Sequence, residues 1–452
     1  MEIQITPTAL IIGGLLFHQV NRHWEYGFSS LGHHYAPVFG IRLPRAAAAS
    51  GQVVALPLAL LASLTTHSPG GRTITVVLVV YWMLATHRRL SDHCWLGAVA
   101  AVAMAFAPAS IHPVVARDLL VGVYLTAALL KINDEYLLTE RSAGRVVTAH
   151  YLQLLGLRPY PRQLKLVPAL VVLTELTVGT LMWVPGGGHY DLWLAILMHL
   201  VFGVSGNFPF SVIAMALWVV ALTPLNGQFA LPVASVSALF PTLLTALLAL
   251  AARRTARGRR SKSWLLKDFC EGATYGYLCA VAAAAASEPT QSSQALPTNG
   301  QVALTHWLIA AGFSVNLLLV VTRVKLEWSF AMFSSLRPFG HSWLERTRLK
   351  GWPRYYALTL PKRIPMTLLR EVDPEFIYQA TRAESAVHEN VAYHLENTAR
   401  KYNISFAPQT LSFDADRSEL VPMGEPGQSV PRMRFLNYPA LVPRRLDRRY
   451  LA

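Results

Sequence analysis

The stretch "VGVYLTAALLKINDEYLLTERSAG", residues 121–144, decides how this chain is read. It opens as an apolar run, then meets Lys131, with Asn133, Asp134 and Glu135 close behind. Apolar character resumes at Tyr136, Leu137 and Leu138, which predicts one span over 117–137. On that reading Lys131 lies about two turns short of the helix end. Such a lysine reaches the headgroups along its aliphatic stem, pairs with Glu135 one turn on, or has a chemical role.

Similar apolar runs recur near 46–66, 73–86, 93–107, 164–184, 190–205, 207–224, 228–250, 270–286 and 302–322. Residues 7–20 make a shorter, weaker candidate. Hydrophobic residues are 53% of the 452-residue chain and charged residues 14%, against about 25% charged in soluble proteins. The expected fold is an all-α polytopic membrane protein of about ten, at most eleven, transmembrane helices over 1–322. A small soluble C-terminal domain over 323–452 follows, carrying 20 Lys/Arg against 13 Asp/Glu. There "PRYYALTLP" looks strand-like, 384–402 has helical apolar spacing, and the proline-rich end from 421 is expected to be extended. No internal repeat is visible, and the N-terminus lacks the basic start and cleavage site of a signal peptide.

The loops alternate in charge. Arg42 and Arg45, then His87, Arg88 and Arg89, then the loop 138–165, then "RRTARGRRSK" at 253–262, are basic, as is the segment after Arg323. The intervening loops, such as "PGGG" at 185–188 and "PLNGQ" at 224–228, carry almost no positive charge. If all ten runs span, the basic loops fall on one side, which the positive-inside rule makes cytoplasmic. The same rule accounts for the net charge of +15 without a nucleic-acid partner. The expected location is a bacterial inner membrane, with the C-terminal domain in the cytoplasm. The cysteines, Cys94, Cys270 and Cys279, show no metal spacing and no disulfide framework.

Fifteen histidines invite a membrane metal oxidase, but no two lie three or four apart, the spacing that puts two ligands on one helix face. No metal is therefore expected. No phosphate-loop pattern or serine-nucleophile elbow appears. The intramembrane ionisable groups remain: Lys131, Glu175 in "LVVLTELTVGT", His199 in "ILMHLVFGV", and His93 beside Asp92. Each has a structural alternative. His93 can cap a helix at the interface, His199 can hydrogen-bond between helices, and Glu175 can tie its helix to a neighbour. A charge in mid-bilayer costs about 2.5–3.5 kcal/mol on insertion scales, so Glu175 needs a partner or a cavity.

These residues also carry a resemblance. The segment 121–144 resembles the lysine-bearing helix of the vitamin K-dependent γ-carboxylase and its bacterial relatives, the horizontally transferred transmembrane (HTTM) proteins. Lys131, Ile132, Asn133 and Tyr136 occupy its pattern. "SDHCWLGAVAAVAMAFAP", 91–108, resembles the preceding family helix with His93 in place, Asp92 standing where Asn is usual. Glu175 and His199 fall on the next two landmarks, and the likeness covers roughly 80–225. The resemblance implies a reduced quinone, vitamin K hydroquinone or menaquinol, as co-substrate with O2 and CO2. It implies Lys131 as the base that deprotonates the quinol, His93 as its helper, and Glu175, His199, Asp92 and Tyr136 around the quinol. It also implies a peptide glutamate as the carboxylated group, and a small peptide and the lipid bilayer as partners. Desolvation among Ala127, Ala128 and Leu130 favours an uncharged amine, while Asp134 and Glu135 oppose it. The alternatives are a non-carboxylating HTTM protein that modifies or helps export a peptide or lipid, and a transporter or structural protein whose lysine only snorkels.

Overall fold

The computed structural model describes all residues except 1, 27–42, 65–67, 87–91, 141, 155–156, 185–188, 223–228, 233–235, 258–261, 288–299, 322–353, 361–364, 373–376, 379, 383–384, 415–416, 418, 428, 431–440 and 444–452. The chain starts with strand β1 (Glu2–Ile5) and helix α1 (Pro7–Tyr26), then runs through α2 (Arg45–Ser63), α3 (Pro69–Thr86), α4 (Asp92–Phe106) and α5 (His112–Lys131). Short α6 (Asp134–Leu137) and α7 (Ala143–Leu154) lead to α8 (Val167–Leu181), α9 (Tyr190–Phe202) and α10 (Phe208–Ala221). Strand β2 (Phe229–Pro232) precedes α11 (Val236–Arg257), α12 (Lys262–Ser287) and α13 (Gly300–Val321).

Three helical stretches among the described residues are both long and apolar enough to cross a membrane: Arg45–Ser63, Ala109–Lys131 and Gly300–Val321. Asp92–Phe106, Val167–Leu181, Tyr190–Phe202, Phe208–Ala221 and Ala238–Ala251 are apolar but shorter. A helix of 15 residues, such as α4 or α8, rises only about 23 Å against a hydrocarbon core of about 30 Å. The ten expected spans are thus coarser in the structure: an apolar helical body with several membrane-compatible helices. The loops at 87–91, 185–188 and 224–228, residues 258–261 of the basic stretch 253–262, and the basic segment 323–353 lie outside the described residues.

Successive helices fold back as antiparallel pairs. Thr6 Oγ1 at the start of α1 donates to Ser63 O at the end of α2 (3.2 Å), and Gln52 Nε2 of α2 donates to Ala85 O near the end of α3 (2.6 Å). His112 Nε2, at the start of α5, lies 2.8 Å from Met104 O near the end of α4. β1 pairs antiparallel with β2, Glu2 opposite Pro232, which ties the start of α1 to the connection after α10. α10 is apolar on every side and buried on every side, from Phe208 to Val220 except at Pro209, as a central helix must be. α5 is also largely buried, whereas Trp307, Leu308, Val315 and Leu318 of α13 face outward. An outward apolar surface of this kind suits a lipid environment.

α11 and α12 approach closely where Gly272 and Gly276 form a Gly-x-x-x-Gly pair. A Cβ on Gly272 would lie 2.6 Å from Thr245 O and 2.8 Å from Ala246 Cα. Thr245 Oγ1 exploits that approach by donating to Gly272 O at 2.7 Å.

The C-terminal part is not all-helical. A five-stranded antiparallel sheet has the order β6-β5-β3-β4-β7, from β3 (Tyr355–Thr359), β4 (Ser385–His388), β5 (Ala407–Asp414), β6 (Glu419–Pro422) and β7 (Leu441–Pro443). The strand expected in "PRYYALTLP" is β3. The helix expected over 384–402 is shorter: Ser385–His388 pair as a strand, and α15 (Glu389–Lys401) begins only after them; the short α14 (Met366–Glu371) precedes both. Ala386 and Val387 satisfy a strand as readily as a helix, because their side chains enter opposite cores. Ala386 packs with Tyr355, Ala357, Leu411 and Leu420, and Val387 with Tyr356, Leu358, Val391 and Leu395. Part of the proline-rich end forms β6 and β7.

Candidate functional site

α5 ends at Lys131, so the lysine closes its helix instead of sitting two turns inside it. The backbone leaves the helix at Ile132, and Asn133 is extended (φ −145°, ψ 158°). Asn133 serves both sides of this break. Its Nδ2 donates to Leu130 O (2.8 Å) at the end of α5, and its Oδ1 accepts from Tyr136 N (2.9 Å) as the N-cap of α6. Asp134 and Glu135 fill the first turn of α6, where negative charge is favoured. Buried Tyr136 packs among Ala128, Ala143 and Val172, and a Cβ on Gly144 would meet its hydroxyl at 2.9 Å.

Glu135 is not the lysine's partner. Lys131 Nζ donates to Glu175 Oε1 (2.9 Å) and Oε2 (3.0 Å), with a longer contact to Ala127 O (3.4 Å). Both residues are almost sealed, at 2% and 3% exposure. α8 brings its mid-helix glutamate to the end of α5 because the two helices pack closely. A Cβ on Gly179 of α8 would lie 2.9 Å from Leu125 Cδ2. The need of Glu175 for a partner is thus met by the lysine, 44 positions earlier.

A second polar chain crosses the same helical body. Tyr124 of α5, two turns before Lys131, has its hydroxyl 2.8 Å from His199 Nε2 and accepts a hydrogen bond from Trp218 Nε1 at 3.0 Å. The chain reverses between α9 and α10 through a π-turn at Gly203–Asn207, and Ser211 Oγ donates to His199 O at 2.8 Å. His199 is fully buried, with the rings of Phe202 and Phe210 beside it, and its Nδ1 has no hydrogen-bond partner among the described residues.

His93 and Asp92 form the first turn of α4. His93 Nε2 lies 3.1 Å from His18 Nδ1 on α1. Because the far end of the α4–α5 pair is closed by His112, His93 and Lys131 both lie toward its opposite end. The structure thus joins Lys131 to Glu175, His199 to Tyr124 and through its hydroxyl to Trp218, and His93 to His18.

Sequence reasoning missed Tyr124, Trp218 and His18. The two aromatics carry no charge to mark them in an apolar run. His18 meets His93 between two helices, which a spacing rule along one helix does not register. Chemically, the Lys131–Glu175 pair can take up or release a proton inside an apolar body. Comparison with protein-family models, curated proteins and solved structures finds no match to this chain.

Proposed function

We propose that the chain is an integral membrane enzyme related to the vitamin K-dependent γ-carboxylase and HTTM proteins, acting on a reduced quinone. The observation that carries this reading is the buried Lys131–Glu175 pair. Ionisable groups sealed in an apolar body are costly, and where they persist they commonly mark a site of proton or substrate handling. The pair is the acid–base unit: coupled groups share a proton, so neither residue acts alone. Glu175 orients Nζ, and the two together accept a proton from a quinol hydroxyl. The fully buried His199, with Nδ1 unmatched among the described residues, suits a hydrogen bond to a ligand oxygen. The quinol, when bound, supplies the reducing equivalents for reaction with O2. His93 is the second residue that the resemblance nominates, and its position at the same end of α4–α5 supports that choice.

In this reading residues 1–322 make ten or eleven spans in a bacterial inner membrane, with 323–452 in the cytoplasm. The antiparallel helix pairs, the outward apolar surface and the basic loops support it.

The test uses membranes containing the full chain, a menaquinol and O2, with peptides analysed by mass spectrometry. Quinol-dependent gain of the mass of one CO2 on a peptide, absent with Lys131→Arg, supports the carboxylase reading. Arginine can still pair with Glu175 in a bidentate manner but does not give up its proton. Quinol consumption without carboxylation points to the non-carboxylating HTTM alternative. Full activity of Lys131→Arg would end the acid–base role.

A further inference from the structure

His18, His93 and Cys94 bring two imidazoles and a thiol together at the packed face of α1 and α4. One ligand atom from each lies within 4.8 Å of the other two. His93 is 5% exposed and Cys94 fully buried. The two rings meet edge to face, with centroids 4.4 Å apart and the facing nitrogens at 3.1 Å. His18 and His93 lie 75 positions apart, so no spacing rule along one helix detects the cluster.

We propose that these three residues bind a d10 metal ion, zinc(II) or copper(I). Thiolate with imidazole is the donor set that selects such ions over the harder, oxygen-preferring cations. The two facing imidazole nitrogens are spaced close to what an ion requires. Tetrahedral zinc with bonds of about 2.0–2.1 Å to nitrogen holds two imidazole nitrogens about 3.3–3.4 Å apart. The observed 3.1 Å needs to widen by only a few tenths of an ångström. Cys94 stands in the first turn of α4 and is the sulfur donor of the cluster. Three protein donors leave a further position for water or another ligand.

Other polar side chains stand on the same stretch of α1. In the same stretch of α1, Gln19 donates to Gln52 O, and Asn21 Nδ2 donates to Glu271 Oε1 at 3.3 Å. The purely structural alternative is a histidine–histidine hydrogen bond beside a buried thiol.

The full chain, purified in detergent from cells grown in medium with defined zinc and copper, is analysed for metal content. About one zinc or copper per chain is expected, and the element found decides between the two ions. His18→Ala and Cys94→Ala should drop the content below about a tenth of that, while Cys270→Ala, outside the cluster, should not change it. Because a variant can fail to fold, the wild-type chain is also loaded with cobalt(II). A thiolate-to-cobalt charge-transfer absorption, absent from Cys94→Ala, is the expected result. A metal-free wild-type chain that also gives no cobalt–thiolate absorption overturns the site. So does metal content that well-folded His18 and Cys94 variants retain. The proposal shares His93 with the proposed quinol chemistry but no residue with the Lys131–Glu175 pair, and metal content and quinol turnover are read separately, so either can fail alone.

Discussion

Lys131 and Glu175 stand 44 positions apart in the chain, yet the amine is within 3.0 Å of both carboxylate oxygens. Both side chains are buried and form an ion pair with each other, so each charge depends on the other. Removing one partner of a buried ion pair typically costs about 3–5 kcal/mol, because the other is left uncompensated. Lys131→Met and Glu175→Leu should each lower thermal stability in detergent strongly. The double substitution should cost clearly less than the sum of the two. Additive losses in that double-mutant cycle would show that the residues are not energetically coupled.

The Tyr124 hydroxyl is shared between His199 and Trp218. Tyr124→Phe removes one oxygen and leaves a ring nitrogen and an indole N–H buried without it. A loss of about 1–3 kcal/mol is expected for each group left unsatisfied. Unfolding of the purified variant should shift accordingly. Equal stability of Tyr124→Phe and the wild-type chain would deny that the network is formed.

Gly272→Ala should separate α11 from α12. Its Cβ would run into Thr245 O and Ala246 Cα, and backbone atoms cannot rotate aside. Overpacking typically costs about 1–3 kcal/mol. Cysteines placed at the exposed Leu247 of α11 and Leu266 of α12 offer a readout, since spin-label distances across the pair should lengthen in the variant. Gly312→Ala, where an added Cβ meets nothing within 4 Å, should be neutral.

In the C-terminal sheet His388 is buried at 2% exposure with Tyr355 edge-on to its ring. Desolvation pushes its pKa down to about 3 from an ordinary 6.5. Between those values the unfolded chain binds a proton that the folded chain rejects. Folding stability from this residue is therefore present above about pH 6.5 and lost as pH falls toward 3. The slope is at most about 1.4 kcal/mol per pH unit. Protection factors of the Tyr355–Thr359 amides in the full chain, corrected for the intrinsic exchange rate at each pH, should fall on acidification through that window. His388→Gln should flatten the response, and an unchanged slope would remove His388 as its source.

The sequence revealed the ionisable residues more readily than their partners. Lys131, Glu175, His93 and His199 stand out because charge and imidazole are rare in apolar runs. Which of them meet is a matter of helix packing at long range, and periodicity carries no such information. The end of α5 was more legible than its apolar continuation suggested. Asn133 followed by Asp134 and Glu135 is an N-cap with an acidic first turn, the usual signal that one helix has stopped and another begins. Leu137 and Leu138 masked it by prolonging the hydrophobicity. Similarly, Ala386 and Val387 fit helical spacing only until the sheet claims them on its two faces.

The pairing of β1 with β2 carries a consequence for the timing of synthesis. Ile5 leaves the ribosome long before its partner Phe229. At about 5–20 residues per second the interval is roughly 10–45 s. For that period α1 has no strand to hold its start, while the helices through α10 enter and settle. The two-stranded ribbon therefore acts as a late clasp, closing after the central helix is in place. A nascent chain stalled before Phe229 should expose Glu2–Ile5 to protease, and one stalled well past Pro232 should protect it.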